Sequence, residues 1–404
     1  MTSPAKIAPD ANKGSASSMR GSKKATVITT VNHNVGDDFV REGITYLIEK
    51  VVGDFDFRLI HKHLPVTVRD NFEWVHTRGV ASALAQLPRV REEHVSKLID
   101  LLPLNPNQDK VLYTDLLIQS GAPVYWCIPG AGGSHMNEWY KPLIKRRYER
   151  IQSGVPLLNI GAGTCQPYRS DGSEFQSDPE CTAFIKEFFG LCDVTTLRDS
   201  LSRDVLGSLG LDAPVIPDPS IFARERLGIE AKEPQYVVLN FMSLGGHFEF
   251  GQDLNEKKWR REFISFYRSV SQKHSVRIVC HNEKERDEVE QILPEAEYFY
   301  ERPQTASGYL DFYSRAKFYI GCRVHGAYAT ASFGRPAFVI GTDTRAKMTK
   351  EIGLENAFVN EVDEDMLTEI SEKLDSHSSA YESRFNSIKS EAFDKYQDAI
   401  SRIV

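Results

Sequence analysis

One pattern recurs along this chain and limits what it can become. A short run of β-branched or aromatic residues breaks into glycine, proline or polar residues, and a stretch with apolar residues at helical spacing follows. ATVITTV (25–31) ends in NHNVGDD, and DFVREGITYLIEKVVG continues as a helix. FDFRLIHKH (55–63), APVYWCIPG (122–130), VPLLNIGAG (155–163) and the short DVTTL (193–197) are further strands, with helices near 88–102 and 138–153 between them. Parallel strands need long crossovers, and helices supply them, so the pattern predicts a mainly parallel sheet covered by helices.

The pattern lapses at LDAPVIPDPSIFARERLGIEAKEPQ (211–235), where prolines and charges interrupt any long element, and then restarts. YVVLNF (236–241), VRIVCH (276–281), EYFY (297–300), KFYIGC (317–322) and PAFVIG (336–341) read as strands. Helices are expected near 256–273, from 283, near 308–316 and at 324–333. The 404 residues therefore divide into a disordered tail (1–24), a first Rossmann-like domain (25–220), a second (221–362) and a helical segment (363–404) whose closing helix has room to pack back on the first domain. Two such domains leave a cleft between them, and open parallel sheets bind ligands at the C-terminal ends of their strands.

Composition narrows the partners. Lys plus Arg number 49 against 56 Asp plus Glu, so the overall charge does not favour nucleic acid, and any anion site must be local. The six cysteines form no CxxC pair and no zinc-type spacing with histidine, which predicts buried free thiols. No apolar run is long enough to span a membrane and the first 24 residues lack the apolar centre of a signal peptide, so a cytoplasmic protein is expected.

The most informative stretch is YIGCRVHGAYATASFGRPAFVIGTDTRAKMTKEIG, from Tyr319 to Gly353. Arg323 and His325 leave a strand at its tip and open a helix of small residues. Free N–H groups and the positive end of the helix dipole then sit beside a guanidinium and an imidazole, an arrangement suited to phosphate or carboxylate. The structural alternative pairs Arg323 with a core carboxylate and leaves His325 to cap the helix.

This stretch resembles the C-terminal signature of the polysaccharide pyruvyl transferase family. NVGDDFVREGI (34–44) is similar to that family's N-x-G-D segment, VTTLRDSLSRDVLGSLG (194–210) to its R-D-x-x-S segment and APVIPDPS (213–220) to its P-D-P segment. Together the blocks span about 25–355. The sequence departs from the family in a glycine-rich segment that reads IPGAGGSH (128–135), with bulky Trp126 nearby.

The resemblance implies a GT-B-like fold, with the acceptor against the first domain and the donor against the second. It implies transfer of the enolpyruvyl group of phosphoenolpyruvate to a saccharide, closing a pyruvate ketal in polysaccharide or glycan biosynthesis. Phosphoenolpyruvate is then a substrate, and no cofactor or metal is expected. Such chemistry needs a proton for the methylene carbon, a base for the attacking hydroxyl and cations for phosphate and carboxylate. His325 matches the motif histidine and is the expected proton carrier; Arg323 and Arg198 match the motif arginines and are the expected anion clamps. Lipid-linked, nucleotide-linked and polymeric acceptors all stay open, which would place the protein free in the cytoplasm or at the inner face of the membrane. The residues decide neither choice, nor the oligomeric state.

Other strand-tip residues are secondary candidates. Asn34, Gly36 and Asp37 open the first helix, where Asp37 can bind sugar hydroxyls or cap the helix. Asn240 and His281 end the first two strands of the second domain. Arg345 and Lys347 follow the 336–341 strand and can add positive charge. Asp199 is read as a helix cap, and Asp363, Glu364 and Asp365 as favourable charge at a helix start. GAGTCQ (161–166) lacks the third glycine of a dinucleotide fingerprint, and neither a P-loop nor a GxSxG elbow is present. His61 and His63 lack a third ligand. Two other functions fit the same scaffold: a glycosyltransferase using a nucleotide sugar, and a non-catalytic saccharide-binding protein.

Overall fold

The computed structural model describes residues 23–31, 34–62, 110–111, 113–121, 123–127, 139–140, 143–145, 154–243, 252, 254–376 and 378–403. Nearly all of the expected tail, the 88–102 helix, His63 and the IPGAGGSH segment lie outside the described residues, as does most of the 138–153 helix.

β1 (Lys24–Thr29) is buried along nearly its whole length, as a strand inside a two-sided parallel sheet must be. It leads to α1 (Val35–Val51), capped by the Asn34 side chain, which accepts from the Gly36 N–H at 3.1 Å. Val35, Phe39, Val40, Ile44, Leu47 and Ile48 form the buried stripe of α1. β2 (Asp56–His61), β3 (Leu116–Ser120), β4 (Pro123–Tyr125), β5 (Leu157–Thr164) and β6 (Val194–Leu197) complete a parallel sheet of order β2-β1-β3-β5-β4, with β6 also on β5. α2 (Pro179–Leu191) and α3 (Ser200–Ser208) flank β6 in sequence.

The sequence reading errs at the centre of this sheet. β3, which lies between β1 and β5, is LLIQS: three apolar residues followed by a buried Gln and Ser, too short and mixed to register as a strand. The run assigned to 122–130 contributes instead the three-residue β4, which pairs only with the upper end of β5 at Gly163 and Thr164.

The second sheet contains β7 (Tyr236–Asn240), β8 (Val276–Val279), β9 (Tyr298–Phe299), β10 (Ala316–Gly321), β11 (Ala337–Gly341) and β12 (Glu355–Phe358). All pairs are parallel, in the order β12-β11-β10-β7-β8-β9. The intervening helices are α4 (Glu256–Val270), α5 (Glu283–Ile292), α6 (Ala306–Tyr313) and α7 (Val324–Ser332). β12 is an addition to the expected strands, because ENAF carries two polar residues and follows the 3₁₀ helix Thr344–Ile352 that the sequence reading treats as a loop. Strand order reverses around β1 in the first sheet and β7 in the second, which places a crevice at each C-terminal edge.

One hydrophobic core runs from Val27 and Phe39 of the first lobe to Tyr313, Tyr319 and Tyr328 of the second. Phe39 on α1 packs edge-on against Tyr313 with ring centroids 6.5 Å apart. A Cβ on Gly43 would fall 1.8 Å from the Pro219 carbonyl oxygen, so only glycine allows α1 to lie so close to the 217–219 connection. α8 (Glu364–Ser376) and α9 (Ser378–Ile400) close the chain, Asp363 accepting from the Met366 N–H at 2.9 Å. α9 returns to the first lobe's connection, where the Tyr396 hydroxyl donates to the Pro217 carbonyl at 2.9 Å and Phe393 packs on Phe222.

Candidate active site

A cleft lies between the strand tips of the two sheets. From the first lobe it is lined by Asn34, Gly36, Asp37 and Arg198, and from the second by His281, Arg323, His325 and Arg345. Eight of the ten residues singled out from sequence therefore meet in one place. The other two, Asn240 and Lys347, do not line it.

The second wall is built on the tip of β10. Arg323 is the extended residue before α7, and its N–H donates to the Asn240 side-chain oxygen at 3.0 Å and to the Tyr319 hydroxyl at 3.1 Å. No side chain caps α7, so the Val324 and His325 amides make no hydrogen bond among the described residues. The small residues of this helix are required: a Cβ on Gly326 would fall 2.7 Å from the Tyr313 hydroxyl.

Glu285, on the first turn of α5, holds this wall together. It accepts from Arg323 Nε at 2.8 Å and also from Nη2, from the Asn240 amide at 3.1 Å, and from the His281 N–H at 2.8 Å. One buried carboxylate thereby ties the tips of β7, β8 and β10. Asn240, expected to face the cleft, spends its amide on Glu285 and the Val279 carbonyl and its oxygen on Arg323, so it supports the wall from below. Arg345 is clasped by Asp343, Nε at 2.9 Å and Nη2 at 2.6 Å. Lys347 instead lies over the Tyr168 ring at 5.5 Å and reaches the Ser170 carbonyl at 3.4 Å.

The first wall carries a different kind of charge. Arg198 is 1% exposed and donates from Nη1 to Asp218 at 2.8 Å, while its Nε has no partner among the described residues. Asp218, fully buried, also accepts from the Ser220 N–H at 2.9 Å. Burial pushes its carboxyl up, but His325, Arg198 and Ser220 outweigh this and hold it well below the carboxylate range. His325 Nε2 lies 3.7 Å from the same Asp218 oxygen, beyond hydrogen-bond reach. Asp199 is the cap of α3, accepting from the Ser202 N–H at 2.7 Å.

At the start of α1, a Cβ on Gly36 would fall 2.6 Å from His325 Nδ1, so glycine allows the two helix N-termini to meet across the cleft. Asp37 is pushed up by burial, yet Lys62, His325, the Thr30 hydroxyl and Arg198 bring it down to about 2. It is not the cap of α1, a position that Asn34 fills.

Sequence reasoning missed Asp218, Glu285 and Asp343, the carboxylates that hold the three arginines. Asp218 was visible in the P-D-P segment; nothing local marked Glu285. The cysteines are free thiols, five of them buried. Among the described residues Cys127, Asp178 and Cys181 approach one another, but at the N-terminus of α2, which Asp178 caps; none of them lines the cleft. No helix among the described residues is long and apolar enough to cross a membrane.

Two parallel α/β lobes whose strand tips face each other across an interlobe cleft define the GT-B-like architecture. The family model for polysaccharide pyruvyl transferase matches residues 34–344, and the chain belongs to that family. Solved structures similar to it include S. aureus MnaA with UDP, 12% identical over 94% of each chain with a TM-score of 0.50. UDP-GlcNAc 2-epimerase from Neisseria meningitidis bound to UDP-GlcNAc is 11% identical over 90% of this chain and 94% of that one, with a TM-score of 0.51. At such identity these likenesses show the fold alone. No curated protein sequence matches the chain.

Proposed function

We propose that this protein transfers the enolpyruvyl group of phosphoenolpyruvate to a saccharide, forming a pyruvate ketal. The observation that carries the reading is the convergence of Arg198, Arg323, Arg345 and His325 on one cleft beside the uncapped start of α7. Family membership supports the reaction class.

The three arginines are each paired with a carboxylate, so the cleft does not work by bulk positive charge. Its capacity for an anion lies in donors left over: the Val324 and His325 amides and the unused edge of Arg323. Phosphate and carboxylate of the donor can divide these donors between them. His325 delivers a proton to the methylene carbon, and Asp218 beside the ring balances the charge that it carries before transfer. A sugar hydroxyl adds to the resulting cationic carbon, phosphate departs, and a second hydroxyl closes the ketal. One hydroxyl proton restores His325 and the other leaves with phosphate, so the step balances without metal, cofactor or redox partner.

The test is product analysis in D2O. Phosphoenolpyruvate and candidate saccharides are incubated with the protein, and the ketal methyl group should carry one solvent deuterium by NMR and mass spectrometry. His325→Gln should bind phosphoenolpyruvate but form no ketal. Consumption of a nucleotide sugar with release of its nucleotide, and no reaction of phosphoenolpyruvate, would replace this reading with glycosyl transfer.

A further inference from the structure

His281 ends the second strand of the second sheet, and its surroundings specify more than a position. Its N–H donates to Glu285 at 2.8 Å and its carbonyl accepts from the Gln304 amide, so the backbone is pinned on both sides. The ring is edge-on to Tyr309 and Tyr313, with centroids 5.4 and 6.2 Å away. Nε2 lies 2.8 Å from the Tyr313 hydroxyl, while Nδ1 is buried with no partner among the described residues. The residue is 1% exposed and lines the cleft.

Counting donors and acceptors leaves one buried donor over in either tautomer. If Nε2–H donates, that donor is the Tyr313 hydroxyl, for which no other acceptor is present among the described residues. If the phenol donates to Nε2, it is the Nδ1–H of a residue that lines the cleft, where a ligand can supply the missing acceptor, and this arrangement is the one a bound anion favours. Turning the ring over would set carbon against the phenol and leave it unpaired. Burial first, then Arg323 and His325, hold the imidazole's pKa well below the ordinary histidine value. The result is a buried N–H without an acceptor in a wall otherwise built for anions, a position that protein structures rarely leave empty of purpose.

We propose that His281 is a fixed, neutral hydrogen-bond donor to the anionic donor substrate, offering the Nδ1–H that Tyr313 selects. This rests on the phosphoenolpyruvate reading for the ligand's identity, but not for the tautomer. His281 thus binds without exchanging its proton, which separates it from His325. Tyr313 is a positioning residue that acts through the imidazole.

The experiment combines ¹⁵N-histidine NMR of the intact protein with calorimetric titration of phosphoenolpyruvate and, separately, inorganic phosphate. The neutral Nδ1–H form of His281 should be seen at pH 7. His281→Asn, whose amide can stand where Nδ1 stood, should keep phosphoenolpyruvate affinity within roughly threefold, whereas His281→Gln, which stands in for Nε2, should lose roughly tenfold or more. Tyr313→Phe should give a mixture of tautomers and a loss of about threefold. An Nε2–H tautomer, or wild-type affinity in His281→Gln, would overturn the proposal. The NMR result needs no variant and so stands even if a substitution unfolds the protein. If the wild-type protein ignores phosphoenolpyruvate, the donor reading fails; the tautomer and the phosphate titration still decide the case of His281.

Discussion

Arg198 and Arg323 face one cleft from opposite lobes, and they are held in opposite ways. Arg198 is 1% exposed, paired through one terminal nitrogen to a fully buried Asp218. The Arg323 side chain is 20% exposed, gripped along Nε and Nη2 by Glu285, with Nη1 left over among the described residues. A guanidinium buried with its counterion is a fixed part of the fold, costly to leave alone. One held along a single edge at the rim presents its other edge to a ligand. The first wall thus supplies rigid charge and the second supplies contact.

The largest effect that would break this comparison is on stability. Asp218→Asn removes the only carboxylate that pairs with Arg198 among the described residues and strands its charge in the interior, at a cost of about 3–5 kcal/mol. Urea unfolding should show it as a lower midpoint without ligand present. If the Asp218→Asn protein were as stable as wild type, the Arg198 side would be a ligand site and not a structural pair.

Arg323→Lys should behave in the other way. The charge that satisfies Glu285 remains, so stability should move by no more than about 1 kcal/mol, but the planar second edge is lost. Hydrogen bonds to a charged group are worth about 1.5–3 kcal/mol, so kcat/KM for phosphoenolpyruvate should fall roughly 10- to 100-fold. Near-normal turnover by the folded Arg323→Lys protein would make Arg323 merely the partner of Glu285.

This difference also explains what was legible in the sequence. The second wall came through because Arg323 and His325 are two residues apart at a strand tip, where local pattern alone places them in the cleft. Their supports did not: Glu285 lies 38 residues before Arg323, and helical spacing on α5 says nothing about which strand tip it faces. Asp218 lies 20 residues after Arg198 in a proline-flanked segment that reads as a connection. The two-sheet architecture was readable from repeated strand and helix alternation, yet LLIQS in β3 was not, because three apolar residues followed by Gln and Ser are too short and mixed a run to mark a strand.

The smallest expected effect sharpens the comparison within the first wall itself. Asp37 and Asp38 are neighbours on the first turn of α1, but Asp37 faces the cleft cations and is brought down to about 2, whereas Asp38 is turned inward and burial raises it to about 6 despite Arg41. The linkage signs are opposite. A carboxyl depressed in the fold stabilises above its unfolded pKa, near 4, and that stability is lost as pH falls toward the folded value. A carboxyl raised in the fold binds its proton more tightly when native, so stability declines as pH rises from about 4 to about 6. Between pH 4 and 6, then, Asp38 titrates in the folded protein and Asp37 stays ionised. Melting temperature against pH over that window should keep its slope in Asp37→Asn and flatten in Asp38→Asn, a difference of about 1–3 kcal/mol. Equal slopes in the two variants, or flattening in Asp37→Asn alone, would mean that the cleft cations do not set the charge of this wall.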